Sequence, residues 1–400
     1  MGGAFDRMVD TRRTLHACPE LGFEEWATTS LIKDRLTHLG LRHEPDPTPT
    51  GAVFTLEGGR PGRTVLLRAD IDALPVTEAV DLPFASGVEG RMHACGHDVH
   101  TAALLGVAEA LVASADELAG QFVMVFQPAE ECLDGARSMV EAGLLSAARP
   151  DAVIGFHVAS PLPVGMVGVR QGVAMSEAHS VRVQILGPGG HAATQGDVGN
   201  VVTALTDLAA ELGGVVDGMT FEGVNCVCSA GVLRAGTANN VVPDRALLEG
   251  TLRTFTDAQR QEAQWRLGDL CARVADRYDV TVEIGYPDAC PAVVNDPAVT
   301  VAVETAALGM LGGDKVLQLP PVAPSDDVSE LLRRVPGCYF MVGGGRLDGS
   351  SGMHHSPRFA VDEECLRVGA ELLARSAVAL AASDDALLAP AAWHPVESSP

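Results

Sequence analysis

At 400 residues, the chain is longer than one ordinary hydrophobic core supports, so we expect two domains. Apolar residues make up 47% of a globular composition, but no apolar run reaches the roughly 18 residues that predict a membrane-spanning helix. The formal net charge of −24 argues against nucleic acid or an anionic membrane as a partner.

The cysteines and the N-terminal segment indicate where the protein resides. The nine cysteines are an odd number and include no CxxC pair, which favours a reduced, cytoplasmic compartment over a disulfide framework. The first residues do not contain the basic region and apolar block of a secretory signal. We therefore expect a cytoplasmic protein.

The first part of the chain alternates apolar runs with helical patterns. The apolar runs are TVLL (64–67), FVMVF (122–126) and AVIGF (152–156), and the helical patterns cover 101–114 and 135–145. Near-continuous apolar runs are typical of parallel strands covered on both faces. The sequence therefore predicts an open α/β sheet.

Polar clusters follow each of these apolar runs. RADID (68–72) follows the first, QPAEE (127–131) the second, and His157 the third. In open α/β sheets, ligands bind beyond the carboxyl ends of the strands. We therefore expect a functional site at this edge of the sheet.

From about residue 178 the pattern changes to the alternation of half-exposed strands, interrupted by two helical stretches. The predicted order is β-α-β-β-α-β, a ferredoxin-like arrangement, after which helices and the strand CYFMV (338–342) return. The predicted domains are therefore a discontinuous first domain (1–176 and 288–390), an inserted domain (177–287) and a C-terminal tail (391–400).

The stretch RMHACGHDVH concentrates groups that bind metals or transfer protons. Cys95 and His97 are two residues apart, so in an extended segment their side chains face the same way. A thiolate and an imidazole are good ligands for zinc and related metals. His93 and His100 have a simpler interpretation as solvated or backbone-bonded histidines.

A pair of carboxylates and three further histidines complete the candidate groups. Glu130 and Glu131 lie on a strand-to-helix turn, where one carboxylate can bind a metal and the other can act as general base. The alternative is a solvated acidic turn. His157 alone could be a core histidine, and the pair His354 and His355 alone means little.

Seven motifs, taken together in this order, resemble one family. They are LRADIDALPVTE, MHACGHDVHTAALLG, FQPAEE, IGFHV, GPGGHAA, NNVVPDRALLEGTLRTF and HHSPRF. They resemble the metal-dependent amidohydrolases that include hippurate hydrolase, N-acyl-amino-acid aminoacylases and indole-acetyl-amino-acid hydrolases. The resemblance spans residue 12 to about 375. It implies a zinc-exopeptidase-like metal domain with an open mixed sheet, and an inserted ferredoxin-like dimerisation or lid domain.

The resemblance also implies a site with two divalent metal ions, for which zinc, manganese, cobalt and nickel are all acceptable. The implied ligands are Cys95, His97, Glu131, His157 and His355. We choose His355 over His354 because it precedes Ser-Pro, as the family ligand does. Five side chains suffice for two ions if one of them and a water or hydroxide bridge the ions, and we expect Cys95 to be the bridging side chain.

Other residues take roles from the same resemblance. Glu130 would be the general base, and Asp70 would orient a ligand by hydrogen bonding. His191 would reach the active site of the partner subunit of a homodimer and stabilise the oxyanion. Asn240 and Arg253 would bind substrate, although Arg253 could equally be an exposed arginine on a sheet face.

The expected activity is hydrolysis of the amide bond of a small-molecule N-acyl amino acid. The chain departs from the family at Cys132-Leu133-Asp134, where glycines are usual, and at Ser325-Asp326-Asp327-Val328, where Ser-Glu-Asp-Phe is usual. These departures would alter the pocket wall, which leaves the acyl group open. A dipeptidase, a carbamoyl-amide hydrolase, a non-catalytic metal-binding relative and a structural zinc site are the alternatives.

Overall fold

The computed structural model describes residues 3–193 and 199–383. The chain forms two compact units. One comprises Met1–Gly172, Val294–Leu319 and Asp326–Pro400, and the other comprises Val173–Val293 and Pro320–Ser325. The predicted tail, 391–400, lies outside the described residues.

The α-helices of the described residues alternate with strands along most of the chain. In chain order they are α1 (Ala4–Ala17), α2 (Trp26–His38), α3 (His97–Ala113), α4 (Gly135–Glu141), α5 (Leu144–Ala148), α6 (Val201–Glu211), α7 (Asp257–Tyr278), α8 (Pro297–Leu311), α9 (Ser329–Leu332) and α10 (Glu364–Ala381).

The β-strands range from two to twelve residues. In chain order they are β1 (Arg42–His43), β2 (Ala52–Glu57), β3 (Arg60–Asp70), β4 (Ala119–Gln127), β5 (Ala152–Pro163), β6 (Val167–Val169), β7 (Gly172–Met175), β8 (Glu177–Leu186), β9 (Gly190–His191), β10 (Thr220–Phe221), β11 (Val224–Asn225), β12 (Val227–Ala235), β13 (Val241–Val242), β14 (Arg245–Thr254), β15 (Thr281–Gly285), β16 (Ala289–Cys290), β17 (Val293–Asn295), β18 (Val316–Gln318) and β19 (Gly337–Gly345).

The first unit is built on an eight-stranded mixed sheet in the order β1-β2-β4-β3-β5-β19-β6-β18. The central strands β4, β3, β5 and β19 are parallel to one another, whereas β1, β2 and β6 pair antiparallel. The apolar runs of the sequence form these central strands. The predicted open mixed sheet of an α/β unit is confirmed.

Helix α3 is buried along its first half, and its stretch AALLGVA (102–108) is apolar on every face. All side chains from 97 to 105 are buried, and the helix packs against β3 and β5 on one side and against α1 and α10 on the other. A helix that is apolar all round belongs in a protein interior. The polar residues at its start, His97 and His100, are therefore held inside the molecule.

The helical pattern at 135–145 forms two helices rather than one. Helix α4 ends at Glu141 and α5 begins at Leu144, with Gly143 between them at φ +97°. This left-handed backbone conformation is readily adopted by glycine and breaks the helix. The prediction of a single helix was wrong at this point.

The second unit contains the succession β8-α6-β12-β14-α7-β15, with its main sheet in the order β12-β14-β8-β15. Its strands pair antiparallel. Val181, Val183 and Ile185 are alternate residues of β8 and pack with Leu208 of α6 and Leu267 of α7 in one core. Both helices therefore cover the same face of this sheet.

Within the two described ranges, we find no helix with the length and apolar character needed to cross a membrane.

Candidate active site

Parallel pairing of β3, β4 and β5 brings the ends of these strands to one edge of the first unit. Asp70, the last residue of β3, pairs in register with Gln127, the last residue of β4. Arg68 pairs with Gly155 of β5, and His157 follows two residues later. The turn that carries Glu130 leaves the sheet at the same edge.

Gly96 makes the sharp turn that places Cys95 and His97 at this edge. Its φ is +90°, and a Cβ atom at this position would lie 2.3 Å from Cγ1 of Val158. Both the left-handed backbone and the close approach require glycine here. Cys95 precedes the turn, and His97 begins α3 directly after it.

The five side chains that the family resemblance assigns to metals come together. Candidate ligand atoms within 4.8 Å of one another occur in Cys95, His97 and His157, and again in Cys95, Glu131 and His355. The Cys95 Sγ lies 3.4 Å from Nε2 of His157, and Nε2 of His355 lies 3.4 Å from Oε1 of Glu131. Cys95 is the member that the two groups share.

Asp72 orients the His97 ring. The Nδ1 atom of His97 lies 2.9 Å from the backbone oxygen of Asp72 and 3.2 Å from its Oδ1. The other carboxylate oxygen of Asp72 accepts a hydrogen bond from the Glu131 backbone N–H at 3.0 Å. Such partners fix the orientation of a ligating imidazole. The sequence analysis missed Asp72, although its spacing of two from Asp70 in RADID was a usable signal.

Asp70, which we expected to orient a metal ligand, contacts His100, which is not one of the proposed ligands. Its Oδ1 lies 2.6 Å from Nδ1 of His100, and its Oδ2 accepts a hydrogen bond from Arg68 at 2.7 Å. The other ring nitrogen of His100 accepts a hydrogen bond from the Val158 backbone N–H at 2.9 Å. Both ring nitrogens of His100 thus have hydrogen-bond partners, as expected of a core histidine. Asp70 is farther from His97, with its Oδ2 at 3.8 Å from Nε2 of that ring.

Glu130 lies against two further carboxylates. Oxygens of Glu130, Asp326 and Asp327 lie within 4.8 Å of one another, and all three residues are buried. Burial, reinforced by Asp326, raises the pKa of Glu130. Arg68 partly balances this charge through ion pairs of 3.1 Å with Asp326 and 3.0 Å with Asp327. The sequence analysis noted Asp326 and Asp327 only as a departure from the family pattern.

Burial changes the proton affinities of the candidate ligands. It raises the pKa of the Cys95 thiol, raises that of Glu131 to about 7, and lowers that of His157. Metal ligands must be deprotonated, so His157 is already in the required neutral form at pH 7. Cys95 and Glu131 need nearby positive charge to lose their protons.

The paired histidines differ in environment. The Nδ1 atom of His354 lies 3.7 Å from Sγ of Cys95, and its Nε2 accepts a hydrogen bond from the Ser160 backbone N–H at 3.2 Å. His355 is more exposed, has φ +63°, and faces Glu131. His355 is the better candidate ligand because its ring lies in one candidate group with Cys95 and Glu131.

The remaining predicted residues belong to the second unit. His191 is exposed in the short strand β9, where it pairs with Val241 of β13. Asn240, just before β13, is also exposed. Arg253 on β14 is half-buried and donates to Oγ of Ser325 at 3.1 Å, so it is not a fully exposed arginine.

The donor set fits divalent metal ions. One thiol, imidazoles and a carboxylate match the ligand preferences of zinc and other first-row metals. The Nε2 atom of His97 is buried, lacks a hydrogen-bond partner within the described part of the chain, and lies 3.9 Å from oxygens of both Glu130 and Glu131. An α/β sheet edge with such a cluster and a neighbouring buried carboxylate defines the class of metal-dependent hydrolases.

Comparison with known proteins gives the family. Residues 66–379 match peptidase family M20/M25/M40, and the chain belongs to this family of hydrolases. It is 35% identical to an N-acetylcysteine deacetylase of Bacillus subtilis (93% of this chain, 96% of the relative) and 35% identical to thermostable carboxypeptidase 2 of Saccharolobus solfataricus (91% and 93%). The crystal structure of the YXEP protein of B. subtilis, described as a dinuclear metal binding peptidase, matches with a TM-score of 0.80 and 33% identity (94% and 98%).

Proposed function

We propose that the protein hydrolyses the amide bond of N-acyl amino acids, with Glu130 as general base beside two divalent metal ions. The observation that carries this proposal is the pair of ligand groups that share Cys95, next to a buried carboxylate that belongs to neither group. The deacetylase among the relatives supports an N-acyl amino acid as substrate.

The two ions would be held by Cys95, His97, Glu131, His157 and His355, and Cys95 is the side chain that both candidate groups share. When bound, the ions would polarise the amide carbonyl and make a water molecule acidic enough to attack near neutral pH. Their positive charge would also favour the deprotonated forms of Cys95 and Glu131. It would therefore offset the rise in the pKa values of these two groups. Since Cys95 must stay reduced to bind a metal ion, we propose that the protein lies in the reducing cytoplasm.

Glu130 would accept the proton of the attacking water and deliver it to the nitrogen of the leaving amine. Its raised pKa suits both steps, because a carboxylate with a pKa nearer neutrality is a stronger base and still releases the proton. Arg68 pairs with Asp326 and Asp327 and holds them beside Glu130, where Asp326 adds to the effect of burial on this pKa.

The second unit would supply the substrate-binding groups and the dimer contact. We propose that the protein is a homodimer and that His191 stabilises the oxyanion in the partner subunit. Arg253 would bind the carboxylate of the substrate, which a chain with a net charge of −24 would otherwise repel, and Asn240 would contribute a polar contact.

Glu130→Gln tests the proposed base. The amide has nearly the shape of the carboxylate but cannot accept the proton, so we expect kcat to fall about 100-fold or more. Metal content, measured by elemental analysis of both proteins, should stay within error because Glu130 is not a proposed ligand. A variant with the wild-type rate and full metal content would show that Glu130 is not the general base.

A substrate panel separates the proposal from its alternatives. The chelated protein would be reloaded with zinc, manganese, cobalt or nickel and assayed with N-acetyl and N-benzoyl amino acids, dipeptides and N-carbamoyl amino acids. We expect the highest kcat/KM with an N-acyl amino acid. Preference for dipeptides is the outcome that the carboxypeptidase relative suggests, and metal binding without any turnover would indicate a binding protein.

A further inference from the structure

The backbone directly before Glu130 is in an unfavourable conformation. Ala129 has φ +53° and is fully buried. A left-handed conformation is strained for a residue that carries a Cβ atom. Because this residue sets the direction in which Glu130 leaves the sheet edge, something in the structure must hold Ala129 in place.

Glu25 holds the Ala129 peptide. Its Oε1 accepts a hydrogen bond from the Ala129 backbone N–H at 2.8 Å, and its Oε2 accepts one from Oγ1 of Thr50 at 2.7 Å. Glu25 has no exposed surface. Hydrogen bonds to a carboxylate are roughly twice as strong as neutral ones, and burial keeps water from replacing them.

The chain around Glu25 packs tightly against this turn. A Cβ atom at Gly22 would lie 3.1 Å from Cα of Ala129 and 2.8 Å from Sγ of Cys132. A Cβ atom at Gly51, the residue after Thr50, would lie 2.6 Å from the backbone oxygen of Phe126. Two separate segments thus reach the turn at backbone distance, and Glu25 lies where they meet it.

Different carboxylates hold the other peptides of this turn. Asp72 accepts from the N–H of Glu131, and Asp327 accepts from the N–H of Ala136 at 2.8 Å. Glu25 therefore acts on the peptide that determines the Glu130 side chain, and not on the one that determines the Glu131 ligand.

We propose that Glu25 is a positioning residue for catalysis: it holds Ala129 in its left-handed conformation and so directs Glu130 towards the reacting water. The inference rests on the proposed role of Glu130. Glu25 itself does not touch substrate. It is new relative to the sequence analysis, which did not consider the segment PELGFEE.

Glu25→Ala tests this role. A base that is misplaced by about 1 Å can lose two orders of magnitude in rate, so we expect kcat to fall about 10- to 100-fold while KM and metal content stay within about threefold. Hydrogen exchange of the peptide containing Ala129 should become faster, which reports the contact without any assay of activity.

Glu24→Ala is the matched control, because Glu24 is adjacent and exposed. Glu25→Gln should keep most of the activity, since an amide can accept from Ala129 and donate to Thr50.

Ala129→Gly separates positioning from general damage. Glycine adopts positive φ at little cost, so the turn should keep its shape even without Glu25. We therefore expect the double variant Glu25→Ala/Ala129→Gly to recover at least a third of the kcat that Glu25→Ala loses. If Glu25→Ala does not fold, Glu25→Asp takes its place, because the shorter side chain cannot reach both partners.

Two results would overturn the inference. One is a wild-type kcat in Glu25→Ala despite faster exchange at Ala129, and the other is a double variant as slow as Glu25→Ala. Failure of the proposed function looks different, because Glu130→Gln would then turn over normally, whatever the Glu25 variants do.

Discussion

At the scale of single residues, a buried ion cluster anchors the start of α3, next to the candidate ligand His97. Arg12 donates from Nε to Oδ2 of Asp98 at 2.8 Å, and Nδ1 of His16 lies 2.8 Å from the same oxygen. The other ring nitrogen of His16 lies 3.2 Å from Glu78. Breaking such a cluster leaves buried charge without compensation. It therefore fixes the register of α3 against α1.

His16 makes this cluster sensitive to pH. Burial lowers its pKa, but Asp98 and Glu78 raise it more, so the folded-state pKa lies above 6.5. The stabilisation is complete below the unfolded-state pKa and is lost as the pH rises through the folded-state pKa. We expect the difference in free energy of unfolding between wild type and His16→Gln to be larger at pH 6 than at pH 9. Urea unfolding at both pH values checks this, and an equal difference would show that folding does not shift the pKa of His16.

The residues that the sequence made predictable are those in short, dense motifs. Cys95 and His97 share one segment, and the glutamates follow an apolar run, so spacing alone marked them. Glu25 and Arg68 could not be found this way. Their roles depend on contacts between segments about 100 to 260 positions apart, such as Glu25 with Ala129 and Arg68 with Asp327, which no local pattern encodes.

At the scale of elements, the connection from β4 to α4 is the most constrained part of the candidate site. It carries both glutamates and returns at Gly135, where a Cβ atom would lie 1.6 Å from the backbone oxygen of Pro128. The end of the strand and the start of the helix thus touch backbone to backbone. The position of the glutamates depends on this contact.

Gly135→Ala should therefore displace the connection. Overpacking of this kind costs about 1–3 kcal/mol, so we expect the free energy of unfolding to fall by that amount and kcat to fall with it. Gly309→Ala is the control: this glycine is exposed on α8, and outside its own helix no atom lies within 4 Å of an added Cβ, so alanine should stabilise the helix by about 0.5–1 kcal/mol. Urea unfolding of both variants measures whether each substitution lowers or raises the free energy of unfolding. A Gly135→Ala protein as stable as wild type would refute the close contact.

Element types followed from periodicity, but their ends did not. The central strands of the first unit and the β-α-β-β-α-β succession of the second are long, regular patterns. The break at Gly143 was missed because its apolar spacing continues across the gap, while a single left-handed residue ends the hydrogen-bonded helix. A helix can end because of the φ angle of a single residue. The apolar periodicity extends over many residues and does not show that angle.

At the scale of the whole molecule, the predicted site residues are divided between the two units of the chain. The first unit holds the candidate ligands and Glu130, while His191, Asn240 and Arg253 all lie in the second. Each subunit would therefore need a second-unit histidine to complete its own site. If that histidine comes from the partner, activity depends on the dimer and falls on dilution below its dissociation constant.

Complementation between inactive subunits tests this dependence. His191→Ala should lower kcat about 100- to 1,000-fold, as loss of an oxyanion donor does, and Glu130→Gln is inactive for the separate reason given above. When the two proteins are mixed, unfolded and refolded together, the heterodimer contains one site with both an intact Glu130 and an intact partner His191. We expect activity to return to about a quarter of the wild-type value, since half of the dimers would be mixed and each would have one working site. Refolding each variant alone is the control. A mixture no more active than its parents, with dimers confirmed by sedimentation, would mean that His191 serves its own subunit.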